Sequence, residues 1–260
     1  MSNIYYGDFH THTTYSDGKG TVESNVVSAI KANLKAVAIT DHGYGNPERF
    51  SLRRETFFVQ REEIIAAREK YPQIEILHGI EADIISLDGT IDMTEEECAE
   101  TDILTVGFHR FAKPKTKEDF YKMYLNANTY FPVFYWQPSQ KTLVRNTDAT
   151  IKMMEKYPVD ILAHLNSCLV VDSVEVAKAC ADFGVYMELN VKHLNLLERD
   201  FDKILNTDVT FIANSDAHVS ERIGQFAKID DFLSRHGADV NRVVNIGDIK
   251  VTFRRDKLKK

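Results

Sequence analysis

The sequence predicts a parallel α/β fold in one domain spanning residues 1–260. Two observations lead there. Seven short apolar, β-branched runs recur along the chain, and most are followed by a stretch whose apolar residues return at helical spacing. Strands that alternate with helices build parallel sheets, which argues against a sandwich. The length agrees: 260 residues suit one large α/β domain, and no repeat, low-complexity tract or Pro/Gly-rich linker divides them.

The first strand is expected over residues 5–9, and Val26, Val27, Ile30 and Leu34 then mark a helix. KAVAIT (35–40) is the second strand. Residues 50–70 carry Phe57, Ile64, Ile65 and Arg68 at helical spacing, with Pro72 just past the end. IEIL (74–77), DILTVG (102–107), VDILAH (159–164), VYMELN (185–190) and VTFIAN (209–214) are the later strands. DSVE (172–175) has the pattern of a capping box opening a helix that Gly184 closes. Residues 111–158 are long for one crossover and rich in aromatics: Phe120, Tyr121, Tyr124, Tyr130, Phe131, Phe134, Tyr135 and Trp136. They are expected to pack helices on the sheet rather than to form a lid over a substrate ring.

Hydrophobic content of 43% and charged content of 27% are ordinary for a globular protein. The net charge of −7, from 32 basic and 39 acidic residues, argues against a broad nucleic-acid surface but leaves room for a local cationic pocket. The basic run 254–260 reads as a solvated helix end or frayed tail. Cys98, Cys168 and Cys180 are far apart and lack CxxC spacing, which suggests a reducing compartment. With no signal-peptide pattern and no apolar run of membrane length, a cytoplasmic location without membrane partners is expected.

Histidine placement points to chemistry. In DFHTHTTYSDG (8–18), His10 and His12 stand at i and i+2, on one side of an extended chain, with Asp17 close behind. The second strand ends in TDHG with His42, and the third runs into HGIEAD with Glu81. His109 follows the fourth strand and His164 ends the fifth. NSDAH after the seventh supplies Asp216 and His218. Six of nine histidines therefore fall at the C-terminal ends of strands, which form one face of a parallel barrel and carry its active site. Imidazole mixed with carboxylate suits Zn, Mn or Fe better than Ca or Mg. Nine such groups exceed the needs of one tetrahedral ion, and a carboxylate such as Glu81 can bridge two. Three divalent ions against Asp17, Glu81 and Asp216 would leave roughly +3 in the pocket, which attracts anions. Clustered metals suit phosphate ester hydrolysis, because they activate water and neutralise the oxygens of an in-line displacement.

HTHTTYSDG, ITDHG, GIEAD, a His after strand four, a His after strand five and SDAH, in that order, resemble the PHP family, named for polymerase and histidinol phosphatase. The resemblance implies a distorted seven-stranded (β/α)7 TIM-like barrel with a trinuclear metal centre and phosphoesterase activity. By motif, His10, His12, Glu81 and Asp216 would hold one metal, and Glu81 would bridge to a second completed by His109 and His164. Asp17, His42 and His218 would hold the third. The detail of HGIEADIISLDGTID and GFH is most similar to the family's small, free-standing bacterial phosphatases. Asp17 stands where some members have a histidine, and the segment after His109 is longer and more aromatic than the family pattern.

Other residues carry two readings each. Asp8 and Asp41 flank candidate ligands, either as acceptors for imidazole N–H groups or as strand-end carboxylates capping backbone donors. Arg110 and Arg222 are candidates to clamp a phosphate, or else surface arginines. His193, beside Lys192 after strand six, faces the same end and could touch substrate or protonate a leaving oxygen. His78 reads as structural, and His236 as a residue near a helix C-terminus. The expected activity is hydrolysis of a small phosphorylated metabolite by a phosphomonoesterase, releasing phosphate. It would use two to three divalent ions (Zn first, Mn or Fe next), metal-activated hydroxide, and Glu81 and Asp216 at its heart. The alternatives are a histidinol-phosphate phosphatase, a nucleotide or oligonucleotide phosphodiesterase or exonuclease, and an inactive metal-binding module. The acidic composition disfavours a nucleic-acid partner.

Overall fold

A computed structural model of the chain describes residues 3–125, 139–253 and 256. Tyr130, Phe131, Phe134, Tyr135 and Trp136, and the run 254–260 apart from Asp256, lie outside the described residues. Seven strands form one sheet in chain order, every neighbouring pair parallel: β1 (Gly7–Asp8), β2 (Ala36–Ile39), β3 (Glu75–Asp83), β4 (Ile103–Gly107), β5 (Ile161–Leu162), β6 (Tyr186–Asn190) and β7 (Phe211–Asn214). Between and after them run α1 (Val22–Lys31), α2 (Arg54–Lys70), α3 (Glu95–Ala99), α4 (Lys117–Asp119), α5 (Gln140–Lys156), α6 (Ser173–Phe183), α7 (Phe201–Ile204) and α8 (Ala227–Arg235). The sheet curls into a nearly closed α/β barrel of the TIM-like kind. Among the described residues, no helix is long and apolar enough to cross a membrane.

The strand pleat sorts side chains between wall and lumen. Val37, Ile39, Ile80, Ala82, Leu104, Val106, Met187 and Leu189 point outward, into a core shared with Val26 of α1, Phe57 and Ile64 of α2, Met153 of α5 and Phe232 of α8. Their alternates point inward. At the N-terminal end of the lumen Ala36, Ala38, Ile103, Ile161, Tyr186 and Ile212 gather around Phe9, and Val251 and Phe253 close the opening.

Three strands depart most from expectation, and one of them, β5, keeps only Ile161–Leu162 of the expected 159–164. β3 runs nine residues instead of four. Its first half pairs with β2 and its second half, from Gly79, with β4. Because those neighbours are offset, the strand must continue through HGIEAD, so Glu81 lies within β3 and not after it. β1 is shorter than the expected 5–9, because its seam with β7 has no regular ladder. The seam is closed otherwise. Thr11 bridges Ala217, and Phe9 N–H donates to Asn214 Oδ1 at 2.9 Å. Asn245, fully buried, accepts from Ala213 N at 2.9 Å and donates Nδ2 to Gly7 O (2.9 Å) and Ala213 O (2.7 Å). One side chain thus stitches β1 to β7 where backbone groups would otherwise be buried without partners.

Helix α6 opens on Asp172, whose side chain accepts from Val174 N and Glu175 N, and ends at Gly184 with φ 68°. The reciprocal half of the expected capping box is missing. Asp172 N–H goes to Thr147 Oγ1 of α5 at 2.8 Å, and Glu175 pairs with Lys178. The tertiary contact between two helices has displaced the local one.

Candidate metal centre

All nine candidate ligands meet at the C-terminal ends of the strands, around Glu81. From its place on β3, fully buried, Glu81 offers Oε2 to His42 Nδ1 at 2.8 Å, His10 Nε2 at 3.3 Å and His12 Nε2 at 3.6 Å. Its Oε1 faces His164 Nε2 at 2.6 Å and His109 Nε2 at 3.5 Å. Asp216 Oδ1 lies 3.3 Å from His12 Nε2, and Asp17 Oδ1 lies 3.5 Å from His42 Nε2 and 3.3 Å from His218 Nε2. Four sets bring their ligand atoms within 4.8 Å of one another: His12, Asp17, His42 and His218; His10, His164 and Asp216; His10, His12 and Glu81; and His42, Glu81 and His109. The Asp17, His42 and His218 set arrives together, with His12 joining it.

Two of these ligands sit on strained backbone. His164 has φ 25° and Asp216 φ 51°, in the left-handed region that side chains other than glycine's rarely adopt. Each turns its side chain back toward Glu81 or His12 just as its strand ends.

Burial pushes the Glu81 carboxyl up, but the imidazoles of His109, His10, His42 and His164 together hold it well below the usual carboxylate range. Asp216 is held low in the same way, against burial, by His10, His12 and His218. Burial disfavours the His10 and His42 cations, yet neighbouring carboxylates raise both well above the ordinary value. His12 goes the other way, lowered by burial and by His42. Ionised carboxylates at hydrogen-bonding distance from imidazoles are the donor set of a transition-metal site. A further observation tests that fit. His10 Nε2, both ring nitrogens of His12, Asp17 Oδ1, His42 Nδ1 and Glu81 Oε2 are buried without a hydrogen bond among the described residues. An unsatisfied buried polar atom costs about 1–3 kcal/mol, and several of them gathered on neighbouring imidazoles and carboxylates fit cations that would coordinate them.

Two carboxylates absent from the sequence reading orient the imidazoles. Glu188, fully buried on β6, accepts from His10 Nδ1 (2.7 Å), His164 N (2.8 Å), Asn190 Nδ2 (2.9 Å) and Asn214 Nδ2 (3.0 Å). Asp83 accepts from His109 N (2.6 Å) and Nδ1 (2.9 Å). A signal for both was present: Glu188 is a charge within an apolar strand, and Asp83 follows Glu81 at i+2, on the same face.

Asp8 and Asp41 resolve toward backbone and hydroxyl partners, with no imidazole among their hydrogen bonds. Asp8, pushed up to about 6 by burial, accepts from Ser215 N (3.1 Å) and Gly224 N (3.0 Å). Asp41 accepts from Thr13 N (2.7 Å), the Thr13 and Ser16 hydroxyls and Gln60 Nε2 (2.6 Å), pinning the loop that carries Asp17. Arg222 is exposed and donates to Gln225 Oε1 within its own turn. Arg110 is half-buried, with its backbone against the Cys168 thiol. The His193 ring lies 5.4 Å from that of His164, and burial followed by the His164 charge pushes it down to about 4, so it is neutral at pH 7. His78 is buried on the outer face of β3 against Phe57, with ring centroids 4.7 Å apart. His236 caps the C-terminus of α8 beside Asp202.

A probable phosphatase of Clostridium botulinum is 27% identical over 257 residues, covering 95% of this chain and 93% of that protein. The DNA polymerase/3′-5′ exonuclease PolX of Bacillus subtilis is 27% identical over 254 residues, covering 94% of this chain and 40% of that one. The histidinol phosphate phosphatase of Lactococcus lactis, solved with zinc, L-histidinol and phosphate, superposes with a TM-score of 0.58 at 14% identity, covering 89% of this chain and 94% of that one. At that identity the likeness is one of fold. The PHP domain model matches residues 8–229, a span that takes in every candidate ligand from His10 to His218. The chain belongs to the PHP domain family.

Proposed function

We propose that this metal-dependent phosphoesterase of the PHP family is a phosphomonoesterase acting on a small phosphorylated metabolite. The observation that carries the reading is the convergence of five imidazoles on the two oxygens of buried Glu81, with its orphaned nitrogens and oxygens. His10, His12, Glu81 and Asp216 would hold one divalent ion, Glu81, His109 and His164 a second, and Asp17, His42 and His218 a third. Zinc best suits the imidazole-rich donors, with manganese or iron next. Bound there, the ions would supply activated water and positive charge for the phosphoryl oxygens.

The chain's own groups have separable tasks. Glu188 and Asp83 fix His10 and His109 in the tautomer that presents Nε2 to the cluster. Glu81 and Asp216 keep negative charge where it can balance cations. His193, neutral and beside His164, is placed to accept a hydrogen bond from a substrate hydroxyl or amine. Arg110, half-buried directly after His109, and Arg222, exposed beyond the last candidate ligand, are the two arginines that could pair with substrate charge. Monoester substrates are favoured over nucleic acid by the net charge of −7, because tracking several phosphates requires a basic groove. The similarity to PolX supports the nuclease alternative, so the test compares both. After metal loading checked by elemental analysis, kcat/KM for p-nitrophenyl phosphate should exceed that for bis-p-nitrophenyl phosphate and for single-stranded DNA. Preference for the diester or DNA would overturn the reading, and absence of bound metal would overturn the site.

A further inference from the structure

Among the described residues, the fold brings a lysine to the cluster. Lys192 follows β6, and its Nζ lies 3.2 Å from Asp216 Oδ1 and 2.8 Å from His218 Nδ1. The Asp216 carboxylate accepts one of the Nζ hydrogens, and His218 Nδ1 is placed to accept a second. Of three N–H donors on Lys192, the hydrogen bonds among the described residues therefore occupy two.

The remaining donor stands at the opening. The Lys192 side chain is 41% exposed, and Asp17 and His218 beside the same opening are 25% and 28% exposed, while His10, His12 and Glu81 behind them are shut from solvent. Nor is the residue loosely held. Its N–H donates to Asn190 Oδ1 at 2.9 Å, and Asn190 Nδ2 bonds Glu188 and Asp216. The lysine stem is thus fixed to the network that orients His10.

We propose that Lys192 receives the terminal oxygens of the substrate's phosphate and so selects monoester dianions over diesters. The inference rests on the phosphomonoesterase reading and deepens it. A monoester presents terminal oxygens that accept charge-assisted hydrogen bonds from an ammonium. A diester carries one charge less and directs a second ester group toward the same space.

The test uses metal-loaded full-length protein and inorganic phosphate as the probe. Lys192→Ala should weaken phosphate binding, measured by calorimetry, by about 10- to 100-fold, the range for a lost hydrogen bond between charged groups. KM for p-nitrophenyl phosphate should rise in parallel, KM for the diester should stay, and Lys192→Arg should recover part of the affinity. Elemental analysis should find the same metal content in all three proteins. Unchanged phosphate affinity in Lys192→Ala overturns the inference while leaving the site intact. Metal loss from that variant overturns it too, by making the lysine a support for Asp216. A wild-type protein that neither binds phosphate nor turns over the monoester overturns the function reading beneath it.

Discussion

The two ends of the barrel lumen are built on the same strands and are equally dry, yet they do opposite work. At the N-terminal end Ile103, Ile161 and Ile212 are fully buried, and Phe253 meets the Phe9 ring edge-on at 5.1 Å. At the C-terminal end Glu81, Glu188 and Asn214 are buried to the same degree. Within single strands the change takes one or two pleats: Ile103 gives way to Thr105, Tyr186 to Glu188 and Ile212 to Asn214. Burial of the apolar layer is favourable at about 25 cal/mol per Å². Burial of the polar layer is costly unless every group has a partner. Stability and function are therefore concentrated at opposite ends, and substitutions should separate them.

The largest expected effect is at the polar end. Glu81→Gln keeps the shape but removes the charge that balances five imidazoles, and kcat/KM should fall by about a thousandfold or more, beyond the ~10–100-fold typical of an outer partner. Its unfolding midpoint in chelator should stay near the wild-type value. A large drop there would break the division between the ends. Conversely, Phe253→Ala opens the apolar plug and should cost about 3 kcal/mol in urea unfolding, with metal content and kcat/KM of the folded protein preserved.

His78 sharpens the contrast, because it lies three residues before Glu81 but faces the outer wall. Burial pushes it down to about 4, and neither ring nitrogen has a hydrogen-bond partner among the described residues. Above pH 6.5 it is neutral in folded and unfolded chains alike. As pH falls from 6.5 toward 4 the unfolded chain takes the proton first, so stability is lost across that window, by about 2 kcal/mol at pH 5. His78→Leu should lose less stability than wild type between pH 7 and pH 5, with turnover at pH 7 retained. Equal acid sensitivity in the two proteins would remove this assignment.

The smallest effect is expected for Glu188→Gln. The amide oxygen still accepts from His10 Nδ1 and Asn214 Nδ2 while its NH2 faces the His164 N and Asn190 Nδ2 donors, so metal affinity and activity should drop about tenfold, within the range for such a partner. A loss equal to that of Glu81→Gln, measured by competition with a chelator, would make Glu188 a ligand and not an orienting group.

The candidate ligands were legible because each is a histidine or carboxylate placed where an apolar run stops. The alternation of runs and helical stretches likewise announced the parallel sheet. What stayed hidden depends on contacts between distant segments. The length of β3 follows from the offset of β2 and β4, which no local pattern in IEIL reports. Asp8 and Asp41 carried two readings, partners for adjacent histidines or caps for backbone donors, and the donors that decide between them come from Ser215, Gly224, Thr13, Ser16 and Gln60, brought close by the fold. Glu188 stayed hidden because three of its four donors, on His10, His164 and Asn214, arrive from other strand ends.

Asn245 gives the molecule a sense of order in time. On a ribosome the nine candidate ligands have all been added by His218, while the residue that stitches Gly7 to Ala213 is still 27 positions away (245 − 218). The nascent chain therefore carries all nine candidate ligands before the Asn245 stitch is available, and cations that bind early would meet a seam not yet fastened by it. The Asn245 stitch joins residues 238 apart in sequence, and the loop-closure entropy of such a contact makes it an expected late step of assembly. Pulse-labelled hydrogen exchange during refolding should find the Ala213 amide protected after the amides at the centre of β3, and earlier protection would mean that the seam is not the last to form.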